Sequence, residues 1–231
     1  MRPFSIICVL WLLLVGSHAR ADEPKEKKTA TTIMNLKALG LALHEYHDSA
    51  KSFPLPGSLD KKGKPLLSWR VAVLPYLEEK KLYDEFHLDE PWDSDHNKKL
   101  IEKMPGVFAN PRVPLVEKGM TTFQVPVGPL TLFEAGRARS ISVVRDGTSN
   151  TLMMVEVSAK QAIVWTKPED LRFDPASPVA GLHFDEAGMT LGLLVEGSVK
   201  MLPAKIGAEN FRRYFLVDDG RMPVGAQDID N

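Results

Sequence analysis

The chain nearly lacks cysteine. Cys8 is the single one in 231 residues, and it lies inside an early apolar run, residues 4–15. Nothing downstream can build a disulfide framework, a cysteine metal site or a thiol nucleophile. Long apolar runs are missing too: residues 4–15 fall well short of the about 20 that span a bilayer as a helix. Charge of one sign is also absent, with 29 Lys+Arg against 30 Asp+Glu. That balance removes the electrostatic reason to expect nucleic acid or an anionic membrane as partner. There is no phosphate-cradling Gly-rich loop, no nucleotide fingerprint and no Gly-x-Ser-x-Gly frame. No cofactor is expected.

What is present begins with a secretory pattern over residues 1–21: Arg2, the apolar run, then Ala19-Arg20-Ala21 with small residues at the cleavage positions. Export, to the periplasm or beyond, without a retained membrane span is the expectation. The mature chain must then hold together by core packing alone. Residues 22–28 are charged, contain proline and lack apolar periodicity, so they read as a flexible tether. Thr29, Thr31 and Thr32 offer capping hydroxyls. Beyond them Ile33, Leu36, Leu39, Gly40, Leu43 and His47 recur at three- and four-residue steps, which predicts a helix over residues 29–48 with one buried stripe. Gly40 on that stripe predicts close approach by a strand or helix.

Phe53-Pro54-Leu55-Pro56-Gly57 breaks this helix. Ser68 is expected to cap a second one, bent or ended at Pro75, and a third is expected from Asp93 or Ser94 to Met104, stopped by Pro105-Gly106. Strands are expected over residues 121–127, 130–133, 141–144, 152–157 and 162–166, with a hairpin from 189–195 and 199–202. A last helix is expected over 208–217 and a disordered tail over 223–231. Helices followed by antiparallel strands predict a single α+β domain, residues 29–222, with helices on one face of a sheet.

Several blocks containing rare residues stand in order: Asn35-Leu36-Lys37-Ala38-Leu39-Gly40 running to His44-Glu45-Tyr46-His47-Asp48 and Phe53-Pro54; Ser68-Trp69-Arg70-Val71; Leu74-Pro75-Tyr76-Leu77-Glu78; Leu82-Tyr83-Asp84-Glu85-Phe86; Glu90-Pro91-Trp92-Asp93-Ser94 with His96-Asn97; Asp146-Gly147-Thr148-Ser149-Asn150-Thr151; and Trp165 through Leu171. In these the chain resembles the bacterial pseudopilin-related family of prepilin-type proteins with a His-x9-Asp-Gly domain, whose function is unknown. The resemblance implies a pilin-like scaffold, a long N-terminal helix laid on an antiparallel sheet. Three departures stand out. The prepilin start, Gly-Phe-Thr-Leu-x-Glu and a long apolar helix, is replaced by Met1-Arg2-Pro3-Phe4-Ser5-Ile6 and an ordinary leader, which disfavours pilus polymerisation. His183 is followed after twelve residues by Glu196-Gly197, not after nine by Asp-Gly, and Asn110-Pro111 stands where many relatives carry Cys-Pro.

Three places invite a functional reading. His44 and His47, with Asp48, suggest metal coordination, but their spacing is not that of His-Glu-x-x-His, and a bracing role is expected. Trp92, Asp93, Asp95 and His96 sit in an oxygen-rich loop lacking the EF-hand glycine and terminal Glu, and a helix cap with a buried Trp92 is expected. Asp146, Ser149 and Asn150 suggest a ligand-binding or nucleophile turn, with no base placed beside Ser149, and side-chain bonds to nearby backbone are expected. The expectation is an exported, non-catalytic envelope protein acting through protein or surface contacts. The alternatives are a metal-dependent hydrolase at these carboxylates and imidazoles, or a glycan-binding module using Trp69, Trp92 and Trp165 as a platform.

Overall fold

The computed structural model describes residues 24–223. The expected leader, residues 1–21, and almost all of the expected tail lie outside them. Helix α1, Lys25–Ala50, has 26 residues and is about 39 Å long at 1.5 Å per residue. It starts earlier than expected, so residues 25–28, read as tether, form its first turn. Lys and Glu are good helix formers, and Glu26 suits the positive end of the helix dipole. The threonines do not cap it. Pro24 precedes the first turn, and the single Thr32 hydroxyl proton is shared between Lys28 O at 2.9 Å and Asn110 Oδ1 at 3.0 Å. At the other end Lys51 turns left-handed, φ 62°, and its N–H closes on His47 O at 2.7 Å.

Strands β1 (Gly57–Leu59) and β2 (Pro65–Ser68) form a short antiparallel pair. Its turn is organised by Asp60 Oδ1, which accepts the Lys62 and Lys64 N–H groups. Ser68 then caps α2 (Trp69–Ala72) as expected, its hydroxyl accepting the Arg70 N–H at 3.2 Å. A 3-10 turn, Leu74–Leu77, carries Pro75 near its start, and α3 (Lys80–Glu85) follows. The helix expected from residue 93 or 94 is a 3-10 segment, Asn97–Lys103.

The second half holds β3 (Met120–Thr121), β4 (Phe123–Gln124), β5 (Pro126–Val127), β6 (Leu152–Glu156), β7 (Ile163–Val164), β8 (Leu171–Arg172), β9 (Met189–Leu194) and β10 (Val199–Pro203), then α4 (Gly207–Phe215). The β9–β10 hairpin forms in the expected place, Val199 opposite Leu193 through Pro203 opposite Met189. Two expected strands do not form. Residues 130–133 contribute a single bridge, Val127 to Phe133, because Leu130 sits at φ 63° and breaks extension. Ile141–Val143 is a 3-10 turn, since Ser140 accepts the Ser142 N–H and the Ile141 N–H goes to a histidine of α1.

The principal sheet is antiparallel in the order β10-β9-β6-β4. Helix α1 packs on one face, where Leu36, Leu39 and Leu43 are buried with Leu191, Leu193 and Met153. Gly40 meets β9 directly: a Cβ there would lie 3.0 Å from Leu193 Cδ2. The expectation of helices on one face is corrected by α4, whose Phe211, Tyr214 and Phe215 are buried with Leu152, Val155, Leu194 and Leu202 in a second cluster. Strand β6 lies between the two clusters, which is why all five of its residues are buried instead of alternating. Each large apolar side chain so covered contributes about 1.5–3 kcal/mol. The class is α+β.

Candidate functional site

Helix α1 sends its two histidines to different places. His44 Nε2 donates to Val195 O at 2.7 Å, and its ring meets Phe53 edge-on. His47 Nε2 accepts the Ile141 N–H at 3.2 Å, which puts its proton on Nδ1, 3.7 Å from the exposed Asp48 carboxylate. Each imidazole therefore braces α1 against a separate loop. They share no locus for an ion, and among the described residues no group of three or more His, Cys, Asp or Glu is placed to hold a metal.

The loop around Trp92 is organised by a residue that composition did not single out. Asn97, fully buried, donates to His87 O, Glu90 O and Pro91 O and accepts the His87 N–H. Ser94 accepts the Asn97 N–H at 3.0 Å, but it does not cap the segment as expected: His96 stands at the N-cap and makes no side-chain capping bond. Trp92, expected to be buried, is only half-buried, with Lys167 over its ring, and its backbone N–H donates to Leu66 O. Asp93 is exposed, and Asp95, also exposed, pairs with Lys98. His96 donates to Glu85 O at 2.7 Å and lies flat on His87, ring centroids 3.5 Å apart. Glu90 pairs with His87, so the paired carboxylates of this loop go to separate partners.

Asp146 does bond nearby backbone, but on a distant segment. Its two oxygens accept the Asp219 N–H at 2.7 Å and the Gly220 N–H at 3.1 Å, pinning the chain after α4. Asn150 donates to Asp146 O, Gly147 supplies φ +99°, and Ser149 is exposed with no histidine bonded to it. A nucleophile needs a base within reach, and the one carboxylate of this turn, Asp146, has both oxygens taken up by backbone N–H groups.

Two buried charge networks join segments that lie far apart in the sequence. In the first, Arg70 and Asp170 are both fully buried and paired at 2.6 Å. Asp170 also accepts from Trp69 Nε1 and the Val125 N–H, while Arg70 donates to Ser68 Oγ and Phe123 O. Burial pushes the Asp170 carboxyl up and the Arg70 guanidinium down, each toward neutrality, and Coulomb attraction with these donors opposes it. With donors on both oxygens, the group is a carboxylate. The blocks 68–71 and 165–171 are thus joined through the core, and Trp69 and Trp165 are buried there, so they offer no sugar platform.

The second network ties α1 to the sheet. Glu156 on β6, fully buried, accepts from Arg112 Nε, Asn110 Nδ2 and the Leu191 N–H. Asn110 in turn accepts from Thr32, and Arg112 Nη1 donates to Thr29. Above it opens a cleft of about 420 Å³ lined by Lys25, Lys28, Thr29, Arg112, His183, Phe184, Asp185 and Glu186. Burial holds His183 below the ordinary imidazole value, against the pull of Glu156. Burial also works against the Asp185 carboxylate, yet the Met189 and Ala187 N–H groups, Arg112 and Lys25 outweigh it and keep its pKa low. Arg112 is engaged at all three nitrogens, by Glu156, Thr29 and Met189 O, and lies 3.5 Å from Asp185, so its guanidinium is a strut between α1 and the sheet. One signal for this network was available: Glu156 is a lone charge in the apolar run Leu152–Glu156.

A larger cleft, about 520 Å³, is walled by Pro56, Pro65, Pro129 and Pro168 with Glu134 and Arg172 at hand, and its Asp170 is already satisfied from inside. Neither cleft pairs a nucleophile with a base.

Residues 30–138, a little under half of the chain, match the model of a family described as SBP_bac_10, protein of unknown function (DUF1559). No curated protein and no solved structure matches the chain.

Proposed function

We propose that this is an exported, non-catalytic envelope protein that acts through protein or surface contacts. In this reading residues 1–21 are removed on export and the mature chain is one domain, residues 29–222 with the first helical turn added. One observation carries the non-catalytic part: His44, His47, His96 and Asp146 each hold backbone of another segment in place. Each of these groups works as a fastener between segments, and a general acid or base must instead face the proton it transfers within hydrogen-bond reach. Among the described residues no helix is long and apolar enough to cross a membrane, which fits release from the inner membrane after leader removal.

The match over residues 30–138 supports descent from pseudopilin-related proteins. The prepilin-type relatives with a His-x9-Asp-Gly domain are the source we favour, with His183 and the Glu196-Gly197 turn as the altered remnant of that pair. Glu196 here lies in the β9–β10 turn, its N–H bonded to Thr148 O.

Fractionation of cells making the full chain, with N-terminal sequencing of the product, tests the export reading. A start at Asp22 outside the cytoplasm is expected. A cytoplasmic product retaining residues 1–21 overturns it. Turnover of a defined substrate, abolished by a point substitution in the purified protein, overturns the non-catalytic part.

A further inference from the structure

Helix α1 is buried along one side and apolar along part of the other. Met34 and Leu41 are 69% and 61% exposed, and Ala38 lies exposed between them. Steps of four and three residues put all three on one stripe. The same stripe begins at Lys27 and ends at Glu45 and Asp48, so along the helix it runs basic, apolar, acidic. Beside it lies a groove of about 330 Å³ whose walls include Ala38, Leu41, Leu77 and Val107, with Glu78 and Glu79 at its rim. Large apolar side chains gathered on an exposed helix face mark a contact surface.

We propose that this face binds the same face of a second copy, with the two α1 helices antiparallel about an axis near Lys37 and Ala38. The order of charges selects that occupant. In an antiparallel pair Met34 lies opposite Leu41 of the second copy, and Lys27 lies opposite Asp48 of the second copy. Lys37, exposed, then approaches the Glu78 and Glu79 rim across the axis. A parallel pair would set lysines against lysines and carboxylates against carboxylates, and flanking charges of this kind decide helix orientation. The patch is therefore self-complementary, as a two-fold contact requires. A shallow crossing of about 20° keeps the helix ends within reach of long side chains. One helix pair covers less than the roughly 1,200–2,000 Å² of a standard interface, so the dimer is weak and weakens further with salt.

The inference goes beyond the contact reading and does not depend on it, because a monomer could still bind an envelope partner. Sedimentation equilibrium of the purified protein across micromolar to near-millimolar concentration, at low and high salt, reads it directly. A salt-sensitive monomer–dimer equilibrium is expected, and Leu41→Asp should raise its dissociation constant at least about tenfold with unchanged melting, as loss of a central apolar contact does. Lys27→Asp and Asp48→Lys should each weaken the dimer, and the double reversal should restore it. A protein that stays monomeric throughout, or a double reversal that fails to restore association, overturns the proposal and leaves the export reading standing.

Discussion

Arg70→Met offers a sharp test of the buried pair, because the two partners respond differently to pH. The substitution keeps roughly the side-chain length but removes the cation that faces Asp170 at 2.6 Å, both groups being fully buried. Breaking such a pair leaves an uncompensated charge and costs about 3–5 kcal/mol. The lost bonds to Ser68 Oγ and Phe123 O add roughly 1 kcal/mol. Against a typical total of about 5–15 kcal/mol, the domain is strongly weakened at neutral pH. Asp170 can escape by taking a proton. Its folded pKa, already raised by burial, rises further without Arg70, while the unfolded chain keeps an ordinary carboxylate. Between those two values the folded state binds the extra proton, so stability of the variant falls as pH rises and recovers as pH is lowered. Asp170→Asn has no such escape, since the stranded guanidinium stays charged across the accessible range. Urea titrations of wild type and both variants from pH 7 down to pH 4.5 should show the Arg70→Met penalty shrinking and the Asp170→Asn penalty holding. An Arg70→Met penalty below about 1 kcal/mol, or one that does not change with pH, refutes the reasoning.

Three further outcomes are expected. Gly119→Ala should lower stability by at least about 2 kcal/mol in the same titration, because φ +73° is left-handed and a Cβ would lie 2.7 Å from Ile101 O; a change within 0.5 kcal/mol, the ordinary surface range of about ±0.5, contradicts the packing. Asp146→Ala should cost about 1.5–3 kcal/mol by orphaning the Asp219 and Gly220 N–H groups, and hydrogen exchange should quicken at those two amides first. For His183 the folded pKa lies below 6.5 because of burial, so unfolded chains take the proton first as pH falls through 6.5. Its contribution is complete above that value and is lost between there and the folded pKa. Melting curves of His183→Gln should therefore lose less on acidification from pH 7.5 than wild type does, and equal slopes would exclude this role.

The elements legible in the sequence are those set by local pattern. The α1 stripe, the Ser68 cap and the β9–β10 hairpin depend on periodicity and turn chemistry within a dozen residues, and they stand where expected. Residues 141–144 carry a strand-like pattern, but their conformation depends on His47, 94 positions away, accepting the Ile141 N–H. Asn97 and Glu156 were missed for the same reason: a buried polar residue is identified by partners that only folding brings near. The threonine hydroxyls resemble caps and point to a later start for α1, whereas the helix begins at Lys25 and Thr32 bonds Asn110. Among the candidate site residues, the expectation at His44 and His47 came from local spacing alone, and each bonds a segment far away in the chain; nothing in the sequence paired Arg70 with Asp170.

Strand β6 lies between two roofs, with Met153 and Met154 serving one core and Leu152 and Val155 the other. A change at any of these positions is felt at once through whichever helix lies above it, leaving the strand little room to drift. Descendants of this architecture would accordingly acquire new binding habits on helix backs and loop rims, while the middle layer stays a conserved spine.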